Sequence, residues 1–438
     1  MALFSFWLEF YALISQFSSM SELFDKVASC NYWEGGLPDT GVPRRRYVER
    51  VQPFMGNRLT KVLMGQRRCG KSFILRQIMA GLVEGGVSWS NILYLDKERM
   101  ELADLVNHRQ AHDLILEYRK RLKVKGKVYL FLDEIQEIEG WERLVNAYSQ
   151  DSRQEYEIVV TGSNAHLLST ELGTLLTGRY VPFEIFPFSF DEFSAAKKAK
   201  KDKATLLEYL QSGGLPELLN LQSEEARRHY VMALRDAILL NDVVRRHKIK
   251  DPDLLERLFR FLCDNAGSLV SVRNIVDYLQ SKGQRTNFET VSAYLSHLCQ
   301  AMLVHECNRY DIRGKELLAG NRKYYLNDLA YRQYLASGFE AALPQRIENL
   351  VYLHYRSQGY TVHVGTMRNL EVDFIVEKDG HRAYHQVCYL LADSAVIDRE
   401  FRSLERISDN YPKSVISLDD VSLGERNGIA HQLLWNVM

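Results

Sequence analysis

Through the first half of the chain, short unbroken apolar runs alternate with longer segments of helical spacing. The runs KVLM at 61–64, NILYL at 91–95, VYLFL at 128–132 and IVV at 158–160 are too short for ordinary helices and lack polar alternation. That is the pattern of strands buried on both faces of a parallel sheet. Between them, Ile74, Ile78 and Leu82 recur on one helical face, and 111–122 reads as a second helix. Strands and helices alternating at this spacing predict an α/β domain built on a parallel sheet.

Beyond a lysine-rich stretch, AAKKAKKDK at 195–203, the periodicity becomes mostly helical from 206 to 303, broken by GGLP at 213–216 and DPD at 251–253. Helices are expected over 253–264, 272–282 and 288–302, followed by two strand-like runs, LVHECNRYD and KYYLND. Three helices followed by two strands is the order of a winged helix. The last hundred residues change again, with a helix at 346–358, three strand-like runs (YTVHVG, EVDFIVEKDG and HRAYHQVCYLL), a helix at 398–409 and the run SVISL, a separate α/β block with a mixed sheet. The expected organisation is a helical extension over 1–40, an α/β domain over 41–200, a helical and winged-helix-like domain over 201–330 and an α/β domain over 331–438.

The opening MALFSFWLEFYALISQFSSM is apolar, but it has no basic lead, and Glu9 interrupts it too early for a spanning helix. It is expected to be a packing helix, or upstream sequence preceding a start at Met20. No other run approaches 18 apolar residues, so no membrane span is expected. The 438 residues carry 56 Lys plus Arg against 56 Asp plus Glu, which excludes coating of nucleic acid by net charge and leaves only local basic runs, at Arg44–Arg46, 119–127 and 197–203. The six cysteines are scattered with no CxxC pair, which argues against a zinc knuckle or a secreted disulfide scaffold and for a reducing, cytoplasmic setting.

The chemistry concentrates at Gly65-Gln66-Arg67-Arg68-Cys69-Gly70-Lys71-Ser72, a GxxxxGK[ST] loop between a strand and a helix whose first turn continues with Phe73. Gly65 and Gly70 let the backbone curl so that successive N–H groups face a triphosphate. The helix N-terminus adds partial positive charge, Lys71 reaches the β and γ phosphates, and the Ser72 hydroxyl completes a magnesium shell. Asp133, leaving the 128–132 strand, is the expected magnesium-side carboxylate, and Glu134 the group that orients or deprotonates water. ATP is expected over GTP because no NKxD tetrapeptide is present. Asn164, following the 158–160 strand, is placed to hold the water or the γ phosphate, with Ser163 or Thr161 able to share that role. Arg179 is expected to answer charge developing on the γ phosphate, in cis or across a subunit boundary. Arg67 and Arg68 either contact phosphate or anchor the Arg44–Tyr47 segment.

The set GQRRCGKS, FLDEIQ, TGSNAHLLS, LTGRY and FPFSFDEF, with GGLPE, KYYLND, RIEN and EVDFIV further on, resembles prokaryotic AAA+-related ATPases whose core is followed by a DUF4143 domain. The resemblance spans about residues 40–420. It implies a P-loop, AAA+-like parallel-sheet core that uses ATP and Mg2+, with Asp133 and Glu134 as the Walker B pair, Asn164 as a sensor and Arg179 at the family's Gly-Arg position. The last block resembles a restriction-endonuclease-like α/β fold.

The load of such an ATPase is less legible. The candidate recognition helix, NFETVSAYLSHLCQAM, has no Lys or Arg, and residues 251–330 hold ten Lys or Arg against ten Asp or Glu. A structural or protein-binding winged helix is therefore favoured over a DNA reader. In the last block Glu348, Asp373 and Gln386 stand where a nuclease would hold magnesium, but Cys388 occupies the place of the required lysine, and Lys378 lies in the EKDG turn. The reading is an Mg-dependent ATPase that couples nucleotide state to a DNA or protein partner, compatible with a homo-oligomer. The alternative is an ATP-dependent DNA-binding protein, nuclease or defence effector.

Overall fold

In this computed structural model, residues 21–150, 156–164, 178–336, 343–368 and 370–438 are described. The opening twenty residues and the part of TGSNAHLLS beyond Asn164 lie outside them. Two compact units emerge: one holds the described residues up to Gly65 together with Gly70–Ile185, and the other holds Gln66–Cys69 with Phe186–Met438.

The first unit is built on five parallel strands, β1 (Thr60–Met64), β2 (Ile92–Asp96), β3 (Val128–Asp133), β4 (Tyr156–Gly162) and β5 (Tyr180–Glu184), in the order β2-β3-β4-β1-β5. β1 and β4 are buried along their whole length, and the two charged residues they carry, Lys61 and Glu157, pair with each other across the sheet. Helices α1 (Lys71–Glu84), α2 (His108–Arg121) and α3 (Trp141–Gln150) alternate with the strands. α2 begins three residues before its apolar pattern, because Asn107 and Gln110 form a reciprocal capping box. The pattern does not predict β5: Pro182 interrupts the short run Tyr180–Phe183 and disguises an edge strand that pairs on one side only, with β1.

In the second unit, helices α4 (Pro252–Asp264), α5 (Val272–Ser281) and α6 (Phe288–Gln300) pack around one apolar core that includes Leu258, Ile275 and Leu298. The short strand β6 (Leu269–Val270) and the hairpin β7 (Val304–Asp311) and β8 (Glu316–Leu326) accompany them. Helix α7 (Leu343–Ser357), strands β9 (Thr361–Met367), β10 (Leu370–Lys378) and β11 (His381–Val387), helix α8 (Ser394–Glu405) and strands β12 (Lys413–Ser417), β13 (Glu425–Arg426) and β14 (Ile429–Leu433) follow. β9, β10 and β11 are antiparallel neighbours, and β11, β12 and β14 run parallel. β9 also pairs in parallel with β7 through Arg309, Tyr310 and Asp311, so a single nine-stranded sheet extends from β13 to β6.

The paired glycines of GGLPE are explained by packing in this unit. Gly213 has φ +77, and a Cβ there would lie 2.1 Å from Asp328 Oδ1; one on Gly214 would lie 2.2 Å from the Phe188 carbonyl oxygen. The Gly214 N–H donates to Asp328 Oδ2 at 2.9 Å, joining GGLPE to the end of KYYLND.

Candidate nucleotide site

The site forms where strands β1 and β3 end. β4 lies between them, and its Thr161 joins the two sides. The Thr161 hydroxyl donates to Asp133 Oδ1 and accepts the Glu134 N–H at 2.9 Å. The Tyr94 hydroxyl, from β2, donates to Asp133 Oδ2 at 2.9 Å, and Ser72 also hydrogen-bonds to this carboxyl. Burial and the neighbouring Glu134 charge push Asp133 up to about 6, while the Thr161 and Ser72 hydroxyls pull the other way. Tyr94 is itself raised by burial and then by the Asp133 and Asp96 charges, so its hydroxyl remains a donor.

Glu134 adopts a left-handed backbone, φ 50, uncommon for a residue with a long side chain. This turns the chain out of β3 into the short helix Ile135–Glu137. Its Oε1 lies 3.0 Å from Lys71 Nζ, and its Oε2 accepts from the Gln136 amide. Gln136 Nε2 also reaches Ser163 Oγ at 3.5 Å. Lys71 Nζ donates to the Gly65 carbonyl at 3.0 Å, and the Gly65 N–H is bonded to the Gly162 carbonyl. Thus Gly65, Lys71, Ser72, Asp133 and Glu134 are brought together, and Asn164, fully buried, follows two residues after Gly162.

Gly70 opens α1 with φ +99, and a Cβ there would meet Arg44 Nη1 at 3.1 Å. A left-handed glycine, the N–H groups of a helix start, an ammonium and a guanidinium make a donor set suited to phosphate oxygens. The Ser72 hydroxyl and Asp133 carboxyl offer magnesium the hard oxygen ligands it prefers. ATP and Mg2+ therefore fit the residues present. Arg44 is buried against Tyr47, its guanidinium 4.8 Å from the ring centroid. Gln77 fixes the segment leading to it, accepting from the Arg44 N–H and donating to the Thr40 and Val42 carbonyls. Phe73 is used in packing, with the Arg76 guanidinium 4.5 Å from its ring and Gly41 close against its edge.

Among the other expected residues, Gln66 and Arg67 have side-chain partners of their own. Gln66–Cys69 group with the second unit. There Gln66 Oε1 accepts from Asn327 Nδ2 at 2.9 Å and the Tyr331 hydroxyl at 3.3 Å, and Arg67 makes a two-pronged pair with Asp242 at 2.8 and 3.1 Å. Cys69 is buried, and Arg68 is exposed with φ 64. Arg179 is exposed, and its carbonyl accepts the Thr60 N–H at 2.9 Å, where β1 enters the sheet. One strand of five residues, about 16 Å at 3.3 Å per residue, separates that end from Gly65. Within this chain Arg179 is not part of the cluster. Tyr94, Gln136 and Arg44 were missed as site residues; the DEIQ sequence carried a signal for Gln136, whereas Tyr94 depends on β2 lying beside β3. Thr161 holds the Asp133 carboxylate and the Glu134 backbone N–H.

At the C-terminal carboxylates the lysine absent at 388 is supplied from β8. Lys323 Nζ lies 2.8 Å from Glu348 Oε1, 2.8 Å from Glu371 Oε1 and 3.9 Å from Asp373 Oδ1, and the Tyr325 hydroxyl donates to Glu348 Oε1 at 2.6 Å. Asp373 Oδ2 accepts the Val387 N–H, and Gln386 Oε1 accepts from Ser403 and the Asp373 N–H. Although burial works against the ammonium, Glu348, Asp373 and Glu371 hold Lys323 above its usual range. Cys388 is a buried thiol whose pKa is raised by that burial. Among the described residues no group of three or more His, Cys, Asp and Glu is arranged to hold a metal ion.

Comparison with known proteins adds family relationships to this geometry. An AAA domain family matches residues 57–194, and a domain of unknown function, DUF8612, matches 203–342. The latter corrects the expected DUF4143 assignment. The physical reason is that GGLPE and KYYLND, which suggested it, form a glycine-to-carboxylate packing joint within 203–342, a structural need that does not distinguish one such domain from another. An uncharacterized protein of Haemophilus influenzae is 36% identical over 380 residues, covering 86% of this chain and 93% of its own length. An uncharacterized protein of Methanocaldococcus jannaschii is 28% identical over 379 residues, 83% of this chain and 80% of its own. Among solved structures, a Walker-type ATPase of Pyrococcus abyssi aligns with a TM-score of 0.46 at 17% identity, over 68% of this chain and 98% of that one. The Orc1 protein of Aeropyrum pernix, solved in complex with DNA, aligns with a TM-score of 0.31 at 15% identity, over 68% and 93%.

Proposed function

Because the chain belongs to one family with the uncharacterized Haemophilus influenzae protein, and its AAA domain makes it an ATP-binding ATP hydrolase, we propose that Lys71, Ser72, Asp133 and Glu134 run the turnover and that nucleotide state controls binding of a DNA or protein partner. The observation that carries this reading is the joining of Lys71, Asp133 and Glu134 through one hydrogen-bonded network centred on Thr161.

In this reading the Gly65–Gly70 turn and the start of α1 cradle phosphate, Lys71 neutralises the β and γ oxygens, and Ser72 and Asp133 hold magnesium, which supplies charge neutralisation between the phosphates when bound. Glu134 takes the proton of the attacking water, and its backbone turn and Gln136 aim the carboxylate. Asn164 orients the water or the γ phosphate. Arg179 serves in trans, from a second copy of the chain in a homo-oligomer. We read the block α7, β9, β10, β11, α8 and β12 as restriction-endonuclease-like in shape and structural in role, since Lys323 already pairs with Glu348 and Glu371. The elements α4, α5, α6, β7 and β8 are read as a winged helix. The six free cysteines and the lack, among the described residues, of any helix long and apolar enough to cross a membrane support a cytoplasmic setting.

Phosphate release from Mg-ATP tests the reading directly. Wild-type chain should turn over, Lys71→Ala should lose nucleotide binding and turnover together, and an equimolar mixture of Arg179→Ala with Lys71→Ala should recover activity that neither has alone. Failure of the wild-type chain to bind ATP in magnesium would remove the proposal.

A further inference from the structure

The second unit carries an open groove of about 900 Å³ far along the chain from the phosphate loop. It is formed by the turn between β7 and β8, the turn between β9 and β10, and the end of α8. Its floor is apolar, with Ile312, Met367 and Ile407 buried, and its rim carries Arg313, Lys315, Arg368 and Arg406. All four basic residues are exposed, and none has a side-chain ion pair among the described residues. Lys315 and Arg368 have φ 57 and 56, so each occupies a left-handed position in its hairpin turn.

The acidic groups nearby do not neutralise this rim. Asp409, the acidic member of the lining, accepts from the Tyr384 hydroxyl at 2.6 Å and the Tyr411 N–H at 3.2 Å, and Lys413 Nζ is 3.5 Å away. Asp311 receives the Arg313 backbone N–H at 2.9 Å and shapes the turn. Four cations gathered from three chain segments raise a local positive potential on a protein with no net charge, one that attracts an anionic partner.

We infer that this groove binds the sugar-phosphate backbone of duplex nucleic acid. The charge is spread along an open rim, which suits successive phosphates better than one small anion. No aromatic ring lines the groove among the described residues, so the base-stacking platform typical of single-strand binding is missing. A concave groove also admits one strand of a duplex, whereas a flat bilayer would reach only the lysine and arginine tips. This site is distinct from the basic runs conspicuous in the sequence, and its members are 38 to 93 residues apart between segments, which is why no run announced it.

The test is fluorescence anisotropy of the full chain with a labelled 20-base-pair duplex of mixed sequence, over a salt series. Four phosphate contacts predict a slope of about −3.6 in log affinity against log salt, hence a loss of about 150-fold between 50 and 200 mM. The combined Arg313→Ala, Lys315→Ala, Arg368→Ala and Arg406→Ala variant should lose at least tenfold in affinity and most of the slope, with unchanged ATP turnover and thermal melting as controls on folding. Arg368→Lys and Arg406→Lys should retain binding, which separates charge from local structure. Equal binding by wild type and the combined variant, or no binding by wild type, overturns the proposal. Tighter binding of the matched single strand, or equal and equally variant-sensitive binding of polyglutamate or phosphatidylglycerol vesicles, overturns the assignment to duplex nucleic acid.

Discussion

Lys71 and Glu134, 63 residues apart, meet through a buried ion pair of 3.0 Å. The ammonium comes from the first turn of α1 and the carboxylate from a left-handed residue just past β3. Both side chains are almost fully out of solvent, so neither charge is stable without a polar partner. Lys71→Ala should therefore lower thermal stability as well as remove nucleotide binding, by about 3–5 kcal/mol for a carboxylate left uncompensated. Adding Glu134→Gln to it should restore much of the stability and none of the turnover. Calorimetry on the two single variants and the double variant measures this, and additive losses would show that the pair is not coupled.

Glu134→Gln alone should keep ATP binding and lower turnover by about 10²- to 10⁴-fold, the range for losing a positioned general base. Equilibrium binding and single-turnover assays separate the two effects. Unchanged turnover would mean that another group takes the proton.

Tyr94→Phe removes one hydrogen bond to Asp133 and leaves the ring in place. A hydrogen bond to a charged group is worth about 1.5–3 kcal/mol. The expected result is weaker Mg-ATP binding, by about tenfold or more, with nearly unchanged binding of ATP in chelator. Equal weakening in both conditions would point to a general loss of structure instead.

Gly70→Ala forces a methyl-bearing residue to φ +99 and brings its Cβ to 3.1 Å from the Arg44 guanidinium. Nucleotide affinity should fall more than tenfold while the sheet, formed by other residues, still melts cooperatively. Retained affinity would show that the loop can change course without this glycine.

Asp373 supplies a pH dependence in the second unit. Burial, and then the Glu348 charge, push its carboxyl up to about 8, against the opposing pull of Lys323 and the Val387 N–H. The folded chain thus holds this proton more tightly than the unfolded chain, whose carboxyl titrates near 3.9. The contribution to stability is full below that lower value and is lost as pH rises toward about 8, at no more than about 1.4 kcal/mol per pH unit for one proton. Denaturant melts between pH 5 and 9 should show this decline, and Asp373→Asn should flatten it. Parallel curves for the two proteins would assign the slope to other groups.

What the sequence made legible was whatever chemistry is local. The phosphate loop, the Asp-Glu pair after an apolar run and the helices 252–264 and 272–281 are encoded by neighbours within a few residues. Boundaries set by capping were read late: α8 starts at Ser394, four residues before the expected 398, because the Asp393 side chain accepts the Val396 N–H. Relations made by strand order were illegible. Thr161 gains its task because β4 separates β3 from β1, and Arg179 is distant because β5 runs parallel to β1 in the same register. Lys323 was invisible for the same reason: an ammonium expected two residues beyond Gln386 arrives from a strand 50 residues before Asp373.

The parallel pairing of β7 with β9 has a practical bearing on how this protein can be dissected. A fragment beginning after residue 336 would present β9 with a row of amide and carbonyl groups stripped of their neighbour, and the complementary fragment would bare β7. Exposed borders of that kind recruit other chains. Attempts to produce the last hundred residues alone should yield sticky, self-associating material, whereas one polypeptide from Phe186 onward keeps both borders closed and is the smaller piece worth purifying.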